Sequence, residues 1–149
     1  MQGNKFTTAV MLCAVTVLAA AAVPASASAS AAAAPESSRA VAVDCFSHSQ
    51  VRPGDFLIAC GDGNNRLIAL RWTDWGRTGA EGRGLDAVND CQPYCAAGTF
   101  HSYPVVVRLD RPQSWEKHPE LKHFTRLQLT YTGERPSQTP RNVTYALWD

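Results

Sequence analysis

Thr125-Arg126-Leu127-Gln128-Leu129-Thr130-Tyr131 alternates with period two, which sets Leu127, Leu129 and Tyr131 on one face and Arg126, Gln128 and Thr130 on the other. Only an extended backbone sends successive side chains to opposite faces, so this stretch is read as a half-buried β-strand. Towards the C-terminus the alternation recurs, with Val143, Tyr145 and Leu147 set against Thr144, Ala146 and Trp148. Towards the N-terminus, Val105-Val106-Val107-Arg108-Leu109 is strongly β-branched, and Pro104 suits the first position of a strand. Between these segments, residues 111–123 are polar and interrupted by Pro112 and Pro119, so at most a short helix from Ser114 is expected there.

Further upstream, Val51-Arg52-Pro53-Gly54 signals a turn. Phe56-Leu57-Ile58-Ala59-Cys60 and the apolar run 67–72 flank Gly61-Asp62-Gly63-Asn64-Asn65, the pattern of a hairpin whose strands are covered on both faces. Residues 73–84 carry glycine at 76, 79, 82 and 84 and are expected to form a loop or a bulged, sharply bent edge segment, with one helical turn possible over 85–89. Short strands separated by Gly and Pro, with no amphipathic run long enough for a packed helix, predict an all-β fold. The expected architecture is a small antiparallel sandwich or barrel with two disulfides.

The N-terminus carries the three parts of a secretory signal: Lys5 in a short polar lead, an apolar run over 6–23, and Pro24-Ala25-Ser26-Ala27-Ser28-Ala29 with several A-x-A cleavage sites. The apolar run is long enough to span a bilayer, but its Ala- and Val-rich make-up dissolving into Ala and Ser favours cleavage. The chain is therefore divided into a signal peptide at 1–29, a flexible leader at 30–42 and one domain at 43–149. Low bulky-apolar content is the reason for leaving the leader unstructured. The expected location is outside the cytoplasm, secreted or associated with the cell envelope, with no stable membrane insertion after cleavage.

The chain holds 14 basic and 13 acidic residues, and losing Lys5 with the signal brings them to parity. No two arginines are adjacent, so the clustered cations that nucleic acid requires are missing from the sequence. Of five cysteines, Cys13 lies in the signal, which leaves Cys45, Cys60, Cys91 and Cys95. An even count in a small exported domain reads as a disulfide framework. Three pairings are possible, and Cys45 with Cys60 and Cys91 with Cys95 is the expected one, because each pair flanks a turn-rich stretch. The rival is a zinc hairpin at Cys91-Gln92-Pro93-Tyr94-Cys95 with His101 close by, which suits a reducing compartment better.

Chemistry-bearing motifs are sparse. Trp72-Thr73-Asp74-Trp75-Gly76 has the indoles and carboxylate of a sugar-stacking surface, against a plainer role for Trp72 and Trp75 as buried aromatic area. Asp62 and Asn64 lie in a Gly-rich stretch that lacks the acidic series of a calcium loop. The spacing of His118 and His123, with Pro119 between them, does not suit a zinc protease helix, and Ser47-His48-Ser49 is no triad. Asn142-Val143-Thr144 matches the glycosylation acceptor pattern, which matters only in a eukaryotic secretory pathway. No cofactor and no metal are expected.

The series Cys60-Gly61-Asp62-Gly63-Asn64, Leu70-Arg71-Trp72-Thr73-Asp74-Trp75-Gly76, Ala80-Glu81-Gly82-Arg83-Gly84 and Cys91-Gln92-Pro93-Tyr94-Cys95-Ala96-Ala97-Gly98 resembles a group of small, uncharacterised secreted proteins of actinomycetes. The resemblance spans most of the processed chain; it implies bacterial export and no activity. The functional expectation is a non-catalytic binding or envelope-associated module, acting on an unknown protein or a cell-wall glycan through Asp62, Asn64, Trp72, Asp74, Trp75 and Tyr94. Two alternatives stand beside it. One is a secreted proteinase inhibitor using residues 91–100 as its loop; the other is a small hydrolase, which needs His101 and Asp90 to converge.

Overall fold

A computed structural model describes residues 39–148, so the signal segment and all but the end of the expected leader lie outside the described residues. Eight strands follow in chain order: β1 (Ala42–Val43), β2 (Ser49–Gln50), β3 (Phe56–Leu57), β4 (Asn65–Trp75), β5 (Gly79–Asn89), β6 (Phe100–Trp115), β7 (His118–Tyr131) and β8 (Asn142–Ala146). β3 to β8 form one six-stranded antiparallel sheet in sequence order, a meander curled into a half-barrel. β1 and β2 form a separate two-stranded pair. The all-β expectation with two disulfides holds.

The period-two reading of β7 is met side chain by side chain. Leu127, Leu129 and Tyr131 are fully buried, and their neighbours Arg126, Gln128 and Thr130 face outward. They pack with Val105, Val107 and Leu109 of β6, to which β7 is registered Val105↔Tyr131, Val107↔Leu129 and Leu109↔Leu127. Opposed β-branched and γ-branched side chains on the concave face are the unit from which such a core is built.

The curl has local causes. The β4 and β5 register shifts twice, between Ile68 and Arg71 and between Trp72 and Asp74, and each bulge bends the strand and raises its twist. Ala69 sits at the first bulge with φ 53°, and its N–H donates to Asp55 Oδ1 at 3.0 Å while the N–H of Leu70 donates to Gly54 O at 2.7 Å. Two glycines of β5 serve this bend. A Cβ on Gly82 would stand 2.8 Å from Arg71 O, and one on Gly84 would stand 2.8 Å from Leu70 Cδ2 and 2.9 Å from Ile68 O.

The open side of the half-barrel is covered by the two ends of the described chain. Val41 donates its N–H to Lys122 O at 2.8 Å, and its carbonyl accepts from Phe124 N–H at 2.9 Å, which lays the N-terminal segment along β7. Trp148, just past β8, stacks on Phe56 of β3 with ring centroids 6.0 Å apart and donates its indole N–H to Asp44 O at 3.0 Å. The two edge strands of the sheet are thereby bridged through aromatic side chains. A smaller core of Val41, Val43 and Trp115 fills the space under the tip of the β6–β7 hairpin.

Four expectations are corrected. Residues 40–42, placed in the flexible leader, are buried, because Ala40, Val41 and Ala42 fill the gap that the half-barrel leaves open. The glycine-rich stretch is no edge or loop beyond its turn at 76–78: β5 is a central strand between β4 and β6. The helical turn over 85–89 is absent, since those residues complete β5 in register with 100–104. Residues 111–123 are the distal half of a long hairpin, with Pro112 paired to Phe124 and Ser114 to Lys122. Positive φ at Arg111 (54°) lets the chain jog before Pro112, and the Thr125 hydroxyl donates to the Arg111 carbonyl at 2.8 Å.

Candidate functional site

Both disulfides form as expected, Cys45 with Cys60 and Cys91 with Cys95. The sulfurs of Cys91 and Cys95 are consumed by each other, which removes the thiolates a zinc hairpin needs. Among the described residues, no helix is long and apolar enough to cross a membrane.

The two bridges lie at the same end of the sheet, where β4 begins and β5 ends. Asn64 and Asn89 join the loops that carry them: Asn89 N–H donates to Asn64 O at 2.9 Å, and Asn89 Nδ2 donates to Asn64 Oδ1 at 2.9 Å and to Cys95 O at 2.8 Å. Asn89 Oδ1 in turn accepts from Cys91 N–H at 3.0 Å. Asp62 Oδ1 accepts from Asn64 N–H at 3.0 Å, so the side chains that invited a calcium reading are holding a turn. The first loop is tied by Cys45–Cys60 to the segment carrying Phe46, which is 77% exposed.

The loop between β5 and β6 is organised around Asp90. Its Oδ1 accepts from Gln92 N–H at 3.0 Å and Thr99 N–H at 2.9 Å, and its Oδ2 meets His101 Nε2 at 2.9 Å. The N–H groups of Thr99 and Gln92, then His101, pull the Asp90 carboxyl down to about 2. A single 3-10 turn, Cys95–Ala97, closes the loop. On this frame Tyr94 stands 63% exposed, and Phe100 stands 40% exposed with the Arg66 guanidinium 4.7 Å above its ring. Large apolar rings left in water on a backbone that cannot fold over them are candidates for contact with another molecule.

His101 and Asp90 do converge, as a hydrolase would need, but on an open surface rather than in a cleft. Among the described residues, no hydroxyl or thiol hydrogen-bonds the imidazole. His48 and Ser47 belong to a turn held by Asp44, whose Oδ1 accepts from the N–H groups of Phe46 and His48 at 2.9 and 2.8 Å. Asn142 opens β8, and its Oδ1 accepts from the Thr130 hydroxyl at 2.9 Å.

The six residues expected to share a binding surface are split between the two ends of β4. Asp62, Asn64 and Tyr94 lie at the disulfide end; Trp72, Asp74 and Trp75 lie at the other. Trp75 is 4% exposed, meets Trp72 and Phe124 edge-on, and donates its indole N–H to Ala40 O at 2.8 Å. Trp72 is half-buried and donates its indole N–H to Pro53 O at 2.8 Å. Trp75 closes a core junction, and Trp72 packs edge-on against it while staying partly exposed. Asp74 is exposed and stands opposite Glu81 in the ladder.

The sheet interior holds a group with no sequence signal. Asp86 points inward from β5, is fully buried, and accepts from the Tyr131 hydroxyl at 2.5 Å through Oδ2. Burial raises its carboxyl, with the Tyr131 hydroxyl and the Asn65 side chain pulling weakly the other way. Burial and the same carboxyl raise the Tyr131 phenol, and Tyr145 is raised too. A single Asp in a glycine-rich run gives no warning of this, because its burial comes from β6, β7 and β8 closing over it.

No protein-family model, curated protein or solved structure matches the chain.

Proposed function

We propose that the protein is a secreted, non-catalytic binding domain that recognises a protein partner through its disulfide-braced end. The observation that carries the reading is Tyr94, held 63% exposed on a loop fixed by Cys91–Cys95 and by the hydrogen bonds of Asn89 and Asp90. An aromatic anchor that is already ordered loses little entropy on binding, so more of its buried area converts into affinity. Phe100 and Arg66 extend the same surface with residue types enriched in protein interfaces. Two intramolecular disulfides are compatible with export to an oxidising compartment. The envelope or the surrounding medium would supply the partner.

The test uses the secreted protein and its Tyr94→Ala variant, each immobilised and exposed to envelope extract and culture fluid. Proteins captured by the first and lost with the second, at matching melting temperatures, support the reading. Equal capture by both, or sedimentation with insoluble wall glycan that the variant does not alter, refutes it. A stoichiometric block of a subtilisin- or trypsin-like enzyme, lost in the variant, would identify the partner as a proteinase. Turnover of an ester, peptide or glycoside by metal-free protein, abolished in His101→Ala, would replace the reading with hydrolysis.

A further inference from the structure

At the opposite end of the β4–β5 pair from the disulfide loops, a cleft of about 410 Å³ is lined by Arg39, Ala40, Arg77, Thr78, Pro112, Glu120 and Lys122. Its three cations come from three separate segments: the chain before β1, the β4–β5 turn, and β7. Backbone hydrogen bonds fix where they meet. Ala40, next to Arg39, donates its N–H to the carbonyl of Gly76, next to Arg77, at 3.3 Å; Val41 donates to Lys122 O at 2.8 Å. Among the described residues, none of the three cations has an acidic partner within ion-pair distance. Glu120, the one carboxylate among the described lining residues, is contacted by His118 Nδ1 at 3.3 Å.

Three cations with no acidic ion-pair partner among the described residues outnumber Glu120 in this concavity, and a bound anion would offset the excess positive charge. Guanidinium forks and an ammonium are the donor types that recognise a tetrahedral oxyanion, and Thr78 brings a hydroxyl to the same lining. The cleft is far larger than a phosphate ion, and Ala40 and Pro112 give it an apolar wall. From this arrangement we infer that the cleft binds an organic phosphate, with the phosphoryl group among Arg39, Arg77 and Lys122 and the carbon skeleton against Ala40 and Pro112. The site is separate from the disulfide-braced end and does not depend on the role given to that surface.

The phosphoryl group could come from a small phosphomonoester or from a phosphate-bearing polymer. Amide and arginine side-chain NMR shifts of the ¹⁵N-labelled protein are therefore followed in three titrations, with inorganic phosphate, sn-glycerol 3-phosphate and poly(glycerol phosphate). The expected result is saturable shifts at Arg39, Arg77, Thr78 and Lys122 at millimolar glycerol phosphate, with weaker binding of inorganic phosphate. Arg77→Gln and Lys122→Gln, both at exposed side chains, should each weaken binding by about tenfold, the loss of one charge-assisted contact. Arg71→Gln, an exposed cation on the outer face of β4, should leave it unchanged. Polymer binding that needs Arg77 and Lys122, tighter per site than that of the monoester, assigns the polymer as the source; otherwise the monoester is the ligand. Absence of saturation, equal weakening by Arg71→Gln, or inorganic phosphate binding as tightly as glycerol phosphate overturns the inference. Loss of this binding leaves the Tyr94 capture assay untouched, so the two readings fail independently.

Discussion

Replacing Asp86 with Asn removes an ionisable group from the interior while keeping its shape and an oxygen for the Tyr131 hydroxyl, 2.5 Å away in the wild type. Because burial raises the folded-state pKa of Asp86, the folded protein holds a proton there that the unfolded chain releases above about pH 3.9. The sign follows directly. The contribution is complete below that pH and is lost as pH rises towards the raised folded value, at about 1.4 kcal/mol per pH unit across the window. The Asn variant has no proton to lose. Urea unfolding from pH 3.5 to 8 should therefore show the two proteins within about 1 kcal/mol at the acid end, and the variant gaining on wild type as pH rises. The four carboxyls held below their ordinary range, Asp44, Asp62, Asp90 and Asp110, titrate alike in both proteins and cancel in the difference. Tyr131→Phe should cost about 1–3 kcal/mol, since it leaves Asp86 Oδ2 buried without its donor. Parallel stability curves for wild type and Asp86→Asn across the whole range would show that the carboxyl is not protonated on folding, and the reasoning would fail.

Other perturbations have equally definite outcomes. Replacing Cys45 and Cys60 together with Ser should lower unfolding free energy in urea by about 3 kcal/mol, and replacing Cys91 and Cys95 by about 2, since the second loop is shorter. Gly82→Ala drives a Cβ to 2.8 Å from a backbone oxygen of the neighbouring strand and should destabilise by about 1–3 kcal/mol. Gly54→Ala, with nothing within 4 Å, should stay within about 0.5 kcal/mol by the same measurement. For Asp90, held down to about 2, the stabilisation is complete above about pH 4 and lost as pH falls through about 2. The amide shifts of Gln92 and Thr99, which donate to this carboxylate, should report that midpoint together, and an ordinary Asp midpoint there would contradict the geometry.

The alternation at 125–131 is legible in the sequence because one-sided burial leaves a mark with the period of the strand itself. The same holds for the β-branched run at 105–109, and cysteine parity with turn-rich spacing was enough to anticipate the bridges that form. The glycines of β5 mislead for a physical reason: locally they mean freedom, and only the approach of Arg71 O and Leu70 from β4 shows that they mean space. Pro112 and Pro119 break a helix but not this hairpin, whose far half is kept extended by Trp115 packing against Val41 and Val43 from the other end of the chain. Residues 40–42 read as leader because three small apolar side chains carry no period, and they become core because the half-barrel leaves a gap of their size. Strands with one-sided burial and the disulfide pairs were thus available from period and spacing alone. The buried Asp86, the covered Trp75 indole and the meeting of Arg39, Arg77 and Lys122 depend on contacts between distant segments, which come into existence only when the sheet curls.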